Sequence, residues 1–212
     1  MTAREQILRD VRRNLGRTEG QPPPEPLTPR IRIPEVSRED RIASLLERVA
    51  ALAGKTLHAR SVSEALDYVA GRTGGGEAVA SNSPFLREIG VTALPGVRSG
   101  ITDERELREI CARAEVGITS ADYALADTGT LVMIASPAEA RLVSLLPPAH
   151  IAVVPAERVL TGLDELLALH PLPANDTSSM VLITGPSRTA DIEQILVRGV
   201  HGPGEIHVVV VD

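Results

Sequence analysis

A short segment late in the chain, LITGPSRTADIE at residues 182–193, brings hydroxyl groups and a guanidinium to one predicted turn. Gly185 and Pro186 stand between an apolar run and a helical pattern, which predicts a strand, a turn and a helix. The free N–H groups and the dipole at a helix N-terminus favour an anion. Arg188 adds a positive charge that suits a carboxylate or a phosphate. The segment therefore predicts a binding site for a small anion at a strand–helix junction.

The same segment also fits a purely structural interpretation. Ser187 or Thr189 can cap the predicted helix without binding anything, because capping hydroxyls are common at helix starts. Arg188 can then pair in solvent with Asp191 or Glu193. Both interpretations stay open on the sequence alone.

Two other polar residues follow predicted strands. Asp122 lies just after the run VGIT, and a carboxylate there can act as a general base if burial raises its pKa. Asn82 stands one residue before the helix cap Ser83 and keeps an amide for a ligand. Aspartate and asparagine are also common in turns for backbone reasons, so a structural role is the alternative for both.

Three further segments carry predictions about position. Residues 127–130, DTGT, separate two β-like runs and predict a hairpin turn. The pattern SPAE is a capping box, so Ser136 and Glu139 are predicted to serve a helix start. His201 is predicted at the far end of the helix that follows Ser187. Ten helical residues would separate the two by roughly 15 Å, so they are not expected to share one site.

The sequence lacks the patterns of several other sites. The histidines show no metal-ligand spacing, so no metal site is predicted. No Walker loop, Gly-x-Ser-x-Gly elbow or Gly-x-Gly-x-x-Gly fingerprint occurs. Cys111 is the one cysteine and fits a buried helical face, whereas an iron–sulfur cluster takes about four thiolates. We therefore expect no cofactor in this chain and iron–sulfur clusters only in partner proteins.

Composition excludes two classes of partner. The 22 basic residues against 28 acidic ones give a net charge of −6, and 2 Tyr with 1 Phe leave few rings to stack on bases. Nucleic-acid binding is not expected. No apolar stretch reaches the roughly 18 residues of a membrane helix, and the first residues lack a secretory pattern. We expect a cytoplasmic protein that does not bind a membrane.

The chain divides into a predicted arm, residues 1–36, and a domain. Residues 2–15 predict a helix with a capping box of Thr2 and Glu5, and residues 16–36 hold six prolines typical of an extended linker. The helix carries an apolar stripe that is expected to pack against another surface. The arm is either a strap that docks on another subunit, as in a homo-oligomer, or a frayed helix on its own domain.

Residues 37–212 alternate between helical and strand patterns, which predicts one α/β domain. Fully apolar strands such as residues 208–211 require a mostly parallel sheet with helices on both faces. Residues 116–136 predict one antiparallel hairpin. Helices are predicted over SPAEARLVSLL, residues 136–146, and over TADIEQILVRG, residues 189–199.

Three segments together resemble the LUD-domain family, of the lactate-utilization protein C type: ADYALADTGTLVM, RLVSLLPPAHIAVV and GPSRTADIEQILVRGVHGP. The resemblance covers about residues 115–212 strongly and the preceding α/β part more loosely. It implies a fold similar to the CoA transferases and ribose-5-phosphate isomerases. It also implies a role in oxidising L-lactate to pyruvate together with iron–sulfur partner proteins. The family's motif residues correspond here to Asp127, Thr128, Gly129, Thr130, Arg141, Gly185, Ser187, Arg188, Thr189, Asp191 and His201.

The leading hypothesis is thus a subunit of a lactate-oxidising assembly that binds a small anion, with Arg188 as its charge partner. A second hypothesis is an independent enzyme acting on a phosphosugar or a CoA thioester, with Asp122 as its base. A third is a scaffold subunit without chemistry that grips its partners through the arm and the hairpin. Turnover by the purified chain alone would favour the second.

Overall fold

The computed structural model of the chain describes residues 2–18, 20–22, 33–190 and 196–212. The chain forms two compact units, residues 1–30 and residues 31–212. In the first unit, α1 (Ala3–Asn14) begins at the predicted capping box, in which the side chains of Thr2 and Glu5 each accept the other's backbone N–H. The apolar stripe of this helix is exposed and consists of Ile7, Leu8, Val11 and Leu15.

The second unit carries the remaining elements of the described residues. Its helices are α2 (Arg38–Ala51), α3 (Val62–Thr73), α4 (Pro84–Glu88), α5 (Glu104–Arg113), α6 (Arg141–Leu145), α7 (Leu163–Leu169) and α8 (Pro173–Asp176). Its strands are β1 (Lys55–Ala59), β2 (Ala78–Ala80), β3 (Val97–Arg98), β4 (Val116–Ser120), β5 (Tyr123–Leu125), β6 (Thr130–Ile134), β7 (Ala149–Pro155), β8 (Val159–Leu160), β9 (Met180–Ile183), β10 (Arg188–Ala190), β11 (Leu196–Arg198) and β12 (Glu205–Val211). Across the described ranges no helix combines the length and the apolar character needed to span a membrane.

The central sheet has six strands in the order β1-β12-β7-β4-β2-β3, and every neighbouring pair is parallel. The strands β7 and β12 are rich in valine and almost wholly buried, as a sheet covered on both faces requires. The predicted α/β class with a mostly parallel sheet is confirmed. The predicted likeness to CoA transferases stays a prediction.

Helices cover both faces of this sheet. On one face, α2 packs Ile42, Leu45 and Val49 against alternate residues of β7 and β12. On the other face, α3 and α4 contribute Val69 and Leu86 among their buried residues. The core therefore lies on both sides of the sheet, and all the strands of the sheet end at the same edge.

The predicted hairpin is present and extends into a second sheet. Strands β5 and β6 pair antiparallel, and β8 and β9 complete the order β8-β5-β6-β9. The first predicted run of the hairpin is in fact two strands, because β4 belongs to the central sheet and only β5 enters the hairpin. One face of the hairpin sheet packs on α2 and the other on Leu166 of α7.

The predicted helix over residues 189–199 is wrong. Its described parts form the antiparallel pair β10 and β11, with Thr189 opposite Val197. The reason lies in the backbone of Ser187, whose N–H donates to the Pro203 carbonyl and whose carbonyl accepts from the Gly199 N–H. These bonds tie the chain to a distant segment, so no helix can begin there.

Candidate functional site

The hairpin turn at residues 127–130 carries a row of hydroxyl groups. Thr128 Oγ1 donates to Asp127 Oδ1 at 3.1 Å, and Thr130 Oγ1 donates to Thr128 Oγ1 at 2.9 Å. Thr130 Oγ1 also lies 2.8 Å from Thr184 Oγ1, just beyond β9. Hydroxyl pairing between Thr130 and Thr184 therefore links the hairpin turn to the end of a neighbouring strand. The predicted ligand role of these residues stays a prediction.

Gly129 brings this turn against α2. Its φ is +69°, a conformation that L side chains rarely adopt. A Cβ at this position would lie 2.8 Å from Arg48 Cβ and 2.9 Å from the Val49 backbone nitrogen. Only glycine therefore fits between the hairpin and the helix.

The segment predicted to bind an anion also meets α2, at its C-terminal end. Arg188 Nη2 donates to the carbonyl oxygen of Leu52, the C-cap of α2, at 2.5 Å. Gly185, with φ +80°, lies beside the same residue, because its Cβ position would be 3.1 Å from Leu52 Cβ. A cation at a helix C-terminus stabilises the helix. Because Arg188 lies in a strand, the argument from free helix N–H groups for an anion site at residues 187–189 is wrong.

Ser187 and His201 are closer than predicted. The Ser187 backbone bonds to Gly199 and Pro203, on either side of His201, and a Cβ on Gly202 would lie 3.5 Å from Ser187 Cβ. His201 is exposed at the rim of a groove of about 400 Å³ beside α6. Arg141, the first residue of α6, is exposed too. The groove is lined by Leu142, Leu145, Leu146, Pro148, Gly199, Val200, His201 and Gly202. Asp191 lies outside the described residues.

The amide of Asn82 makes two hydrogen bonds within the protein. Its Oδ1 accepts from the Gly100 N–H at 2.8 Å, and its Nδ2 donates to the Ile101 carbonyl at 2.8 Å. Both partners belong to the loop after β3. Asn82 therefore joins two loops, so the expectation of a free amide is wrong, while its predicted ligand role stays a prediction.

Asp122 faces a cavity at the carboxyl ends of β4 and β7. Asp122 Oδ2 accepts from the Ile134 N–H at 2.6 Å, and burial raises the pKa of this carboxyl above its ordinary value. The predicted condition for a general base, a raised pKa, is thus met. The cavity holds about 230 Å³ and is lined by Ser83, Pro84, Phe85, Ser120, Ala121, Asp122, Pro155 and Arg158.

A second carboxyl lies behind the cavity wall, and sequence reasoning missed it. Glu139 is 8% exposed, and its Oε1 accepts from Ser120 Oγ at 2.6 Å. The capping-box interpretation is wrong, because the helix begins only at Arg141 and the Glu139 side chain points to β4 instead. Half of the box is nevertheless present, since the Glu139 N–H donates to Ser136 Oγ at 3.1 Å. Burial is the main cause that raises the pKa of Glu139, and the Asp122 charge adds to it.

Arg158 supplies a positive charge beside the same cavity. It ends a single 3₁₀ turn after β7, and its guanidinium carbon lies 5.5 Å from the centre of the Tyr123 ring. Arg158 forms no ion pair with the carboxylates in the described part of the chain, although its charge lowers the pKa of Asp122. The cavity is therefore lined by Arg158 and by the half-buried carboxyl of Asp122, and the buried carboxyl of Glu139 lies behind its wall.

Among the residues that the structure describes, no three His, Cys, Asp or Glu side chains cluster to hold a metal ion. Cys111 is buried and reduced, and burial raises the pKa of its thiol. A buried thiol of raised pKa is a poor nucleophile.

Comparison with known families now adds to this geometry. A model of the LUD domain matches residues 42–211. The chain belongs to the LUD domain family. Its relatives in this family include lactate utilization protein C of Macrococcus caseolyticus, 37% identical over 159 residues that cover 72% of this chain and 68% of that protein. Lactate utilization protein C of Halalkalibacterium halodurans is 31% identical over 215 residues, which cover 94% of each chain.

A solved structure supports the LUD-domain fold. A DUF162 family protein from Deinococcus radiodurans has a TM-score of 0.64 and 20% sequence identity to this chain. The match covers 84% of this chain and 100% of that one. At this identity the likeness concerns the fold alone.

Proposed function

We propose that this LUD-domain chain is a component of a lactate-utilization system, in which L-lactate is oxidised to pyruvate together with iron–sulfur partner proteins. The relatives named lactate utilization protein C support this role. Oxidation of L-lactate to pyruvate releases two electrons and two protons. The electrons pass to the iron–sulfur clusters of the partners, since one cysteine cannot hold a cluster here.

Within that system, the chain binds a short 2-hydroxy- or 2-oxocarboxylate in the cavity at Asp122. The observation that carries this assignment is an available guanidinium, Arg158, facing one small cavity with the raised-pKa carboxyl of Asp122. Arg158 pairs with the ligand carboxylate, and Asp122 accepts a hydrogen bond from its hydroxyl. A volume of about 230 Å³ suits a molecule of a few heavy atoms, because drug-sized sites run from about 300 Å³ upward.

Calorimetry with L-lactate and pyruvate on the full chain tests the assignment. Arg158→Gln is expected to weaken binding by about 10- to 100-fold, as the loss of a charge-assisted hydrogen bond predicts. The matched control is Arg188→Gln, which removes another exposed guanidinium, one that contacts α2 and not the cavity. Unchanged binding in Arg158→Gln, or a loss confined to Arg188→Gln, would contradict the assignment.

Dependence on partners separates this function from an independent enzyme. The purified chain is expected to bind L-lactate without producing pyruvate, and pyruvate is expected only after the iron–sulfur partner proteins are added. Turnover of a phosphosugar or a CoA thioester by the chain alone would favour the independent enzyme with Asp122 as its base.

A further inference from the structure

A row of hydroxyl groups leads from the cavity to Glu139. Ser83 and Ser120 both line the cavity, and their Oγ atoms lie 2.8 Å apart. Ser120 Oγ in turn donates to Glu139 Oε1 at 2.6 Å. Ser83 stands at the N-cap position of α4 but makes no capping bond, so its hydroxyl is committed to this row. The row is continuous from the cavity wall to a buried carboxyl.

One oxygen of Glu139 is poorly partnered. Glu139 Oε2 and the nearby Ser81 Oγ are both buried, and neither makes a hydrogen bond of ordinary geometry with a described residue, although the Ser81 hydroxyl still lowers the pKa of Glu139. Ser81 is 2% exposed and Glu139 8%, so both groups are shielded from bulk solvent. An ionised carboxylate with an unpaired buried oxygen is costly, whereas the neutral acid avoids most of that cost. The site is therefore built to accept a proton.

The charges around Glu139 favour it over Asp122 as the acceptor. Asp122 is the charged group that acts on Glu139, and it raises the pKa of Glu139. The ionised form of Asp122 is itself stabilised, by the Ile134 N–H and by the charges of Arg158 and His170. The ionised form of Glu139 is stabilised by the Ser120 and Ser81 hydroxyls and by no cation. An anion that enters the cavity adds negative charge near both carboxyls, and the carboxyl without a stabilising cation takes the proton.

We infer that Glu139 is the proton acceptor of the cavity: it takes up one proton when a carboxylate anion binds there, through Ser120 and Ser83. The inference rests on the proposed function for its ligand. The acid form of the buffer supplies a proton at Ser83 Oγ and remains in solution as its conjugate base, while Ser83 passes its own proton to Ser120 and Ser120 passes its proton to Glu139 Oε1. Each O–H bond that breaks is replaced by a new one, and no electron moves.

Calorimetry of L-lactate binding in phosphate and in Tris buffer measures the proton uptake directly, because the two buffers differ in ionisation enthalpy. For the wild type, uptake is expected to peak at a pH between the two pKa values of Glu139, without and with ligand. Glu139→Gln is expected to bind L-lactate with no uptake. Uptake equal to that of the wild type in Glu139→Gln would assign the proton to another group, such as Asp122, and would overturn the inference.

A second variant retains Glu139. Ser120→Ala removes the hydrogen bond that stabilises the ionised carboxyl, so the peak of uptake is expected to move upward by about one pH unit, a tenfold change in proton affinity. An unmoved peak would contradict the row of hydroxyls.

Infrared spectra of the free protein keep the test independent of the proposed function. If L-lactate fails to bind any variant, the proposed function fails. The inference then depends on whether a carboxylic-acid C=O band titrates above the ordinary range of glutamate and disappears in Glu139→Gln. Absence of that band would overturn it.

Discussion

Replacing Gly129 with alanine tests whether the hairpin turn is shaped by packing on α2. The added methyl group would meet two obstacles. The backbone has φ +69°, which costs an L residue about 1 kcal/mol. In addition, the new Cβ would lie 2.8 Å from Arg48 Cβ and 2.9 Å from the Val49 nitrogen, well inside the usual carbon–carbon separation of about 3.5–4.0 Å.

Gly74→Ala provides a matched control. Gly74 also has positive φ, +56°, at the C-cap of α3, but no atom lies within 4 Å of its Cβ position. Gly74→Ala should therefore lower the free energy of unfolding only through the unfavourable positive φ, by about 1 kcal/mol. Gly129→Ala adds the overlap with α2, for which core overpacking suggests roughly 1–3 kcal/mol more. The expected losses in the free energy of unfolding are about 1 kcal/mol for Gly74→Ala and about 3 kcal/mol for Gly129→Ala.

Urea unfolding followed by circular dichroism measures the difference. The free energy of unfolding falls by about 2 kcal/mol per molar urea, so the urea midpoints of Gly74→Ala and Gly129→Ala should differ by roughly 1 M. Equal midpoints would refute the packing explanation for Gly129. A loss of L-lactate binding in Gly129→Ala without a loss of stability would instead indicate that the turn contacts the ligand.

Two further predictions concern stability. Arg188→Ala should lower the free energy of unfolding, measured with urea, by about 1–2 kcal/mol, because the Leu52 carbonyl at the end of α2 loses its cationic donor. Arg188→Lys should recover part of this loss. Full stability in Arg188→Ala would contradict this role. His150 is wholly buried beside Thr119, and burial lowers its pKa from 6.5 to about 4, so below pH 6.5 the unfolded chain binds a proton that the folded chain does not. The free energy of unfolding should therefore fall by about 3 kcal/mol between pH 6.5 and 4. In His150→Asn, the urea midpoint should decrease less over this pH range, because the variant lacks the contribution of His150.

The parallel sheet could be predicted because its signal is local. Strands such as β12 end in consecutive buried valines, and the helices between strands begin at recognisable caps, as α5 does at Asp103. The order of the strands was not accessible in the same way. It depends on which apolar surfaces meet, and the local periodicity of one sequence does not reveal those long-range contacts.

The failures occurred where distant residues decide the local structure. TADIEQILVRG has helical periodicity, but its described ends, residues 188–190 and 196–198, pair as strands, and the hydrogen bonds of Ser187 to Pro203 and Gly199 adjoin that pair. Glu139 belongs to a capping-box pattern in the sequence, yet its side chain accepts a hydrogen bond from Ser120, 19 residues earlier. The candidate site was therefore only half visible: Asp122 was identified from its place after a strand, whereas Glu139 and Arg158 were not.

The position of β12 affects how the protein is made. This strand, residues 205–211, lies between β1 and β7, although β1 was synthesised about 150 residues earlier. Until the ribosome has released residues 205–211, β1 has no neighbour and β7 shows a bare valine-rich edge, the kind of surface that pairs with other chains. A nascent or prematurely stopped chain should consequently aggregate or engage chaperones, and mutations that weaken the β12 edges should reduce yield in the cell more than they reduce the stability of the finished protein.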